Sequence, residues 1–347
     1  MMRLRRKAKG ISSVIISDKQ NLKRTVRQAV RYCQVYDCQA EWPPEQKAGP
    51  GTAYIEFLEQ DPSIFTGPVP LQSGERMATL AAMKSLDLGG IPARQLRETL
   101  EPYSEEAWQR ELLDAARIKR VLVKVPIEKA AQFEAHDGRI SVMPEIDPSF
   151  FAFGRFGPDF NRCAEKLRYV VRQHNPRHLF ANGLDLPALQ FCVLPVCEEE
   201  NCVLHLRLGI GGADATDCLR LLQDRPGLRS VVSAEDSLEC SVIDRVAKEE
   251  RILVRLENPD HLSYALDRLG TRFIPFASRA KAPETLPGSW ILEKERIWRA
   301  LTDVYALMLR LGCTLSSESI ERDVERLMYG NLSEWDLKEE EQNESGI

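Results

Sequence analysis

The chain has 347 residues, 43% of them apolar, and its 47 basic and 52 acidic side chains leave a net charge of −5. That length supports one large domain with a sizeable core, and the slightly acidic balance gives no reason to expect nucleic acid as a partner. No segment approaches the roughly twenty apolar residues of a membrane span, and nine scattered cysteines are not a secreted disulfide framework, so reduced thiols in a cytoplasm are expected.

Residues 1–17 open with a basic cluster, Arg3 to Lys9, and a serine-interrupted apolar stretch, Ile11–Ser17, too short for a secretory signal. A solvated, flexible end is expected there. The helical pattern of Leu22–Tyr32 leads into a first strand at Tyr32–Asp37. The stretch 43–102, rich in Pro and Gly at both ends, reads as an insertion after that strand, with a helix around Glu75–Ser85. Glu105–Ile118 reads as the helix before the second strand.

From there short β-branched runs alternate with amphipathic segments. The runs are Arg120–Val125, Arg139–Ile146, His178–Leu184, Cys202–Leu208, Arg229–Ser233, Ile252–Leu256 and Arg272–Phe276. The helical segments are Phe160–Gln173, Ala188–Glu199, Ala215–Leu222, Leu238–Glu249 and His261–Leu269. Such alternation predicts βαβ units and a parallel sheet. With Tyr32–Asp37 the strands number eight, enough to close a (β/α)8 TIM barrel; an open doubly wound sheet is the rival. Gly209–Gly212 follows a strand but lacks the spacing of a dinucleotide fingerprint, so a tight turn is expected. Cys192, Cys197 and Cys202 match no zinc spacing and read as buried thiols. Two extra helices follow, Trp290–Leu311 and Ser316–Met328, the last capped by Ser316 or Ser317. The barrel domain is read as 18–335, with a disordered acidic tail over 336–347.

Three places together bring a family to mind. Val35 to Pro44 (VYDCQAEWPP) looks like the first-strand signature of amidohydrolases, Asp-x-His-x-His followed by an apolar residue and prolines. Thr271 to Ala280 (TRFIPFASRA) is similar to their eighth-strand segment, which ends in Ser-Asp-Ala. The C-terminal helix pair closes with Met328-Tyr329-Gly330-Asn331, much like the final helix of uronate isomerases. Weaker echoes are Glu145 to Pro148, Val193 to Cys197 and Glu257 to Pro259. The chain therefore resembles the uronate (glucuronate) isomerase branch of the amidohydrolase superfamily over about residues 20–332. The resemblance implies a barrel-mouth site, a divalent metal such as zinc, and aldose–ketose isomerisation of a sugar acid.

The metal positions of that family are replaced. Its two first-strand histidines correspond to Gln39 and Glu41, and its eighth-strand carboxylate to Arg279. An amide oxygen is a poor zinc ligand, and a guanidinium offers no lone pair and repels a cation. At about 4 Å a dication beside a fixed positive charge costs several kcal/mol at an effective dielectric near 20. No metal and no other cofactor is expected. Alternate strand residues share a face, so Asp37, Gln39 and Glu41 are expected together at the mouth, with Glu41 paired to Arg279. His205 and Arg207 share one face of their strand, His205 being either a mouth residue or a satisfied buried histidine. Asp236 and Asn258 follow strands where pocket residues belong, or else cap helices. His136, His174, His178 and His261 read as surface or capping residues.

Three functions fit. A barrel that has lost metal-dependent activity would bind a sugar acid or similar small polar ligand, with Gln39, Arg207, Asp236, Asn258 and Arg279 as contacts. An active isomerase or hydrolase of altered chemistry would use Asp37, Glu41 and His205 as acid–base groups. A structural module would use the insertion 43–102 as an interface, which makes a homo-oligomer a candidate assembly.

Overall fold

The computed structural model describes residues 14–42, 49–60, 64, 74–133, 135, 137–152, 159–209 and 213–337. The rest of the 1–17 segment, the insertion and the tail, together with His136 and most of the Gly209–Gly212 turn, lie outside the described residues.

A short strand β1 (Ile15–Ile16) leads to helix α1 (Lys19–Tyr32) and β2 (Val35–Ala40). Helices α2 (Thr52–Gln60), α3 (Gly74–Ser85), α4 (Ala93–Leu100) and α5 (Glu105–Ala115) follow. Next come β3 (Ile118–Pro126), β4 (Ile140–Ile146), α6 (Phe160–His174) and β5 (His178–Ala181). A short α7 (Leu186–Ala188) passes through a π turn into α8 (Leu194–Glu199). The series continues with β6 (Val203–Leu208), α9 (Ala215–Gln223), β7 (Ser230–Ala234), α10 (Asp236–Val246), β8 (Ile252–Val254) and α11 (Leu262–Leu269). The long α12 (Leu286–Arg310), β9 (Leu315–Ser316), α13 (Ser317–Glu325) and α14 (Asn331–Leu337) complete the described residues. No helix among the described residues is long and apolar enough to cross a membrane.

Strands β2 to β8 form one parallel sheet in sequence order. The segment expected as an eighth strand, Arg272–Phe276, closes it differently. Only Ile274 makes a ladder bridge, to Arg255, because Pro275 has no N–H to donate. Ile274 N donates to Val254 O at 2.8 Å, and five residues on the chain reaches the other edge, where Arg279 N donates to Gln39 O at 2.9 Å and Glu41 N to Ala280 O at 2.8 Å. These bonds complete a (β/α)8 barrel with an insertion after its first strand.

That first strand is displaced from the expected Tyr32–Asp37. Asp18 caps α1 by accepting from Gln20 N and Asn21 N, and the buried stripe Leu22, Val26, Val30 carries the helix through Tyr32, so the strand starts three residues later. Inside the barrel, Tyr36, Cys38, Leu122, Met143, Phe180, Val203, Val231, Leu253 and Ile274 pack together. A larger apolar layer joins the outer strand faces to the surrounding helices. The insertion has a small core of its own, including Tyr54, Leu58, Met83, Leu96 and Trp108. It presses on α12 where Gly288 meets α3; a Cβ there would overlap the Ala78 carbonyl.

At both ends of the described residues the ordered structure extends beyond the boundaries expected for it. Ile15 and Ile16 pair with Ser316 and Leu315, and Ser316 with Ser319 forms the capping box of α13. Asp336, assigned above to the tail, is 5% exposed. Helix α14 plugs the N-terminal end of the barrel: Leu332 joins the interior core, and Asn331 donates to Thr271 O and Phe273 O. Asp336 meets Arg120 at 2.6 Å and His178 Nε2 at 3.0 Å. Removing its carboxylate leaves Arg120 and His178 without their anion, so Asp336→Ala is expected to cost about 2–4 kcal/mol. Chemical denaturation checks this, with the exposed Glu334→Ala expected to stay within about 0.5 kcal/mol of the parent.

Glu293 on α12 is 2% exposed, with Oε1 unpartnered and Oε2 3.4 Å from Arg296. Burial pushes its carboxyl up to about 7, against the pull of Arg296. The folded state therefore holds this proton more tightly than the unfolded chain does. Stability is unpenalised below pH 4.5, the ordinary value, and falls as pH rises through about 7. Glu293→Gln removes this loss. The variant should match the parent near pH 5 and exceed it by about 1–3 kcal/mol near pH 8; parallel stability–pH curves for the two proteins would refute the assignment.

Candidate functional site at the barrel mouth

The C-terminal ends of the strands bring together a charged cluster. Lys124, near the end of β3, lies 3.3 Å from Glu41 and 3.4 Å from Glu145 at the end of β4, and its ammonium stands over the Phe180 ring. Asn182, just past β5, donates to Glu145 at 3.0 Å. Gln39 donates to Glu41 at 2.7 Å. Across the mouth, Arg255 is 2% exposed and donates to Ser233 Oγ at 2.8 Å. Arg255 and Arg279 each form an ion pair with Glu257. Arg279 is held in the left-handed backbone region, φ 48°, a conformation that costs a non-glycine residue about 1–2 kcal/mol.

The expected ion pair between Glu41 and Arg279 is not formed. Glu41 goes to Lys124 and Arg279 to Glu257, because a nearer opposite charge is available to each. Burial raises Glu41, but Lys124 and Gln39 outweigh it and hold the carboxylate below its ordinary range. Burial lowers the buried Arg255 guanidinium. It also brings Arg279 down to about 10, with repulsion from Arg255 and Arg207 adding to the effect. Arg207 thus belongs to the same cluster, yet no ion-pair partner for it exists among the described residues, and its buried Nε has no hydrogen bond. Gln39 Oε1, Asn182 Oδ1 and Arg255 Nη1 are likewise buried without partners. Buried polar atoms are normally satisfied, so this concentration at one end of the barrel marks a place for bound solutes.

Asp37 is not in the cluster. A bulge between Asp37 and Ala40 breaks the alternation that would align residues 37, 39 and 41. The Asp37 carboxylate points outward and accepts from Trp290 Nε1 at 2.9 Å and Gln39 N at 3.1 Å; burial raises its pKa. His205 does share the inner face with Arg207, but it lies deeper, 1% exposed, with Nε2 3.0 Å from His178 Nδ1. Burial, with His178 and Arg255 nearby, drives its pKa well below the ordinary imidazole value. Asp236 and Asn258 stand apart from the arginines: Asn258 Nδ2 donates to Asp236, and Asn258 Oδ1 caps the following turn at Asp260 N. His178, expected at the surface, is 2% exposed and bonded to Tyr36, His205 and Asp336. Cys192, Cys197 and Cys202 are buried and form no disulfide among the described residues.

Arg255, Lys124, Asn182 and Glu257 were not among the expected contacts. Arg255 had a readable signal, a lone cation inside the otherwise apolar run Ile252–Leu256; Lys124 shares its strand with Lys119 and Arg120 and was harder to single out. The residues at the mouth do not fit a divalent metal. No group of three His, Cys, Asp or Glu side chains suited to one exists among the described residues, and the carboxylates present are already bound to Lys124, Arg255 and Arg279.

No protein-family model matches the chain, and no curated protein matches it significantly. Solved structures do. An uronate isomerase from Bacillus halodurans aligns at TM-score 0.76 and 17% identity, over 92% of this chain and 97% of that one. A glucuronate isomerase from Caulobacter crescentus aligns at 0.62 and 11%, over 93% and 96%. An uronate isomerase from Thermotoga maritima aligns at 0.56 and 13%, over 91% and 97%. At such identities the likeness shows the fold alone: this chain has a (β/α)8 barrel like those of the isomerases.

Proposed function

We propose that the barrel mouth binds a sugar acid, or a similar polyhydroxylated carboxylate, without a divalent metal, and that metal-dependent isomerisation has been lost. One observation carries this reading: Arg207, Arg255 and Arg279 converge on a mouth where donors on two of them have no partner. Guanidinium is the side chain best matched to a carboxylate, which it meets through paired N–H bonds. Lys124 and the three arginines face Glu41, Glu145 and Glu257, which leaves one positive charge in excess and suits a monoanion. The free oxygens of Gln39 and Asn182 are acceptors for ligand hydroxyls. The same cations oppose a dication at this position. A changed catalytic chemistry has weaker support, since Asp37 faces α12 and His205 lies beneath the cluster.

Metal analysis of the purified protein, with isomerisation assays on D-glucuronate and D-galacturonate in the presence and absence of added zinc, manganese or nickel, tests the loss of activity. Sub-stoichiometric metal and no turnover are expected; a stoichiometric transition metal or sustained turnover overturns the reading. Binding is tested by thermal shift. A sugar acid at about a hundred times its Kd stabilises by about 2.7 kcal/mol, a rise of a few degrees in Tm. Arg207→Met is expected to abolish that rise while leaving the unliganded Tm unchanged or higher, because no carboxylate loses a partner.

A further inference from the structure

A second cluster of cations lies on the flank of the barrel, away from the mouth. Arg27, Arg31 and Tyr32 at the C-terminal end of α1, Arg117 between α5 and β3, and Lys294 and Trp298 on α12 line a cavity of about 570 Å3. Arg31 stands 5.7 Å and Arg117 5.0 Å from the centre of the Tyr32 ring, and Arg27 stands 5.4 Å from that of Trp298. The one carboxylate lining the cavity, Glu295, is taken by Trp298 Nε1 at 2.8 Å and Arg27 at 3.4 Å. Arg31, Arg117 and Lys294 have no carboxylate within ion-pair distance among the described residues. The Lys294 ammonium donates to the end carbonyls of two helices, Cys33 O at 3.1 Å and Ala116 O at 3.4 Å, and burial with repulsion from Arg117 brings its pKa down to about 8.

Backbone geometry adds an independent oddity. Arg117 ends α5 at φ 58°, where glycine is the usual occupant because a side chain is strained there. An arginine at that position places a guanidinium beside Tyr32 and Lys294 at a conformational cost. Gathered cations repel one another, and an anion seated among them recovers that energy. A cavity of this size lies in the range of small-molecule sites. With one carboxylate against four cations, a single carboxylate ligand would leave charge uncompensated, whereas a diphosphate group would balance it.

We propose that this cleft is a binding site for a small phosphate-bearing polyanion of the diphosphate class, held by Arg31, Arg117 and Lys294 and separate from the barrel mouth. Isothermal titration calorimetry of the full chain with inorganic pyrophosphate and with ADP, at low ionic strength, tests it. Saturable binding of at least one of them, with a Kd below about 1 mM, is expected. Lys294→Met also removes the helix-end bonds, so the decisive variants are Arg117→Gly, which keeps the left-handed backbone, and the exposed Arg31→Gln. Each should weaken binding at least about fivefold, and the pair together should abolish it. Arg207→Met at the mouth should leave it intact. Failure of both probes to bind overturns the proposal, as does binding that the two cleft variants leave unchanged or that Arg207→Met removes. None of these outcomes depends on whether the mouth binds a sugar acid.

Discussion

Burying a guanidinium cation in the throat of a barrel is the constraint from which the mouth is built. Arg255 is 2% exposed, and taking such an ion out of water costs several kcal/mol unless opposite charge and hydrogen-bond acceptors stand ready. Ser233 and Glu257 supply them. Glu257 in turn is placed by a carboxylate behind it: Glu239 on α10 accepts the backbone N–H of Glu257 and of Asn258 and holds His261 at 2.7 Å. A fully buried acid on an outer helix thereby fixes the loop that carries the counter-ion of the inner arginine. Arg279 shares that counter-ion. One carboxylate between two guanidinium groups leaves donor capacity over, which is why Arg255 Nη1 has no partner.

The opposite end of the barrel is organised by an anion rather than by cations. Asp336 accepts from Arg120 and His178, and His178 passes the contact to His205 at 3.0 Å. Burial raises Asp336, but His178 and Arg120 outweigh it and keep the carboxylate below its ordinary range, so it stays charged at neutral pH. His205, surrounded by apolar strand residues and near Arg255, is held neutral. A polar column thus runs along the barrel axis from the C-terminal plug toward the mouth, with its negative pole at the base and its positive pole at the ligand end. Helix α14 is for this reason part of the barrel's electrostatics as well as its packing.

Strand and helix alternation was legible because it depends on local periodicity: Val203–Leu208 and Ser230–Ala234 fall where β-branched runs placed them. The site was legible only in part. Gln39, Glu41 and Arg279 were expected at the mouth from the likeness of their strands to family motifs and Arg207 from strand phase; the structure sets Gln39 and Glu41 beside Lys124, and Arg279 near Arg255 and Arg207. Asp37 could not be placed, since a single inserted residue in the ladder reverses its direction, and nothing in Tyr36-Asp37-Cys38 marks a bulge. His178 looked superficial because it opens its strand, a position that faces solvent in an unplugged barrel. Its burial depends on Asp336, 158 residues away in sequence, inside a stretch whose acidic composition suggested disorder. Contacts of that separation leave no trace in local pattern.

Fixed cations and a bound metal would make a cavity of this shape select different ligands. A divalent metal attracts carboxylates and hydroxyls indiscriminately through one centre and activates what it holds. Three guanidinium groups distribute the same attraction over separate, oriented donors that cannot be displaced or stripped by a chelator. Recognition then depends on where the ligand's oxygens fall relative to those planes, and affinity weakens with ionic strength to the degree that the site stays open to solvent. The carboxylates at this end of the barrel are paired with Lys124, Arg255 and Arg279. Glu41 in particular is held in its ionised form by Lys124 and Gln39, which suits an acceptor of ligand hydroxyls and opposes a role as proton donor. On the function proposed above, such a mouth would discriminate among small anions by charge and hydroxyl pattern, with the barrel serving as the rigid frame that keeps the repelling cations together.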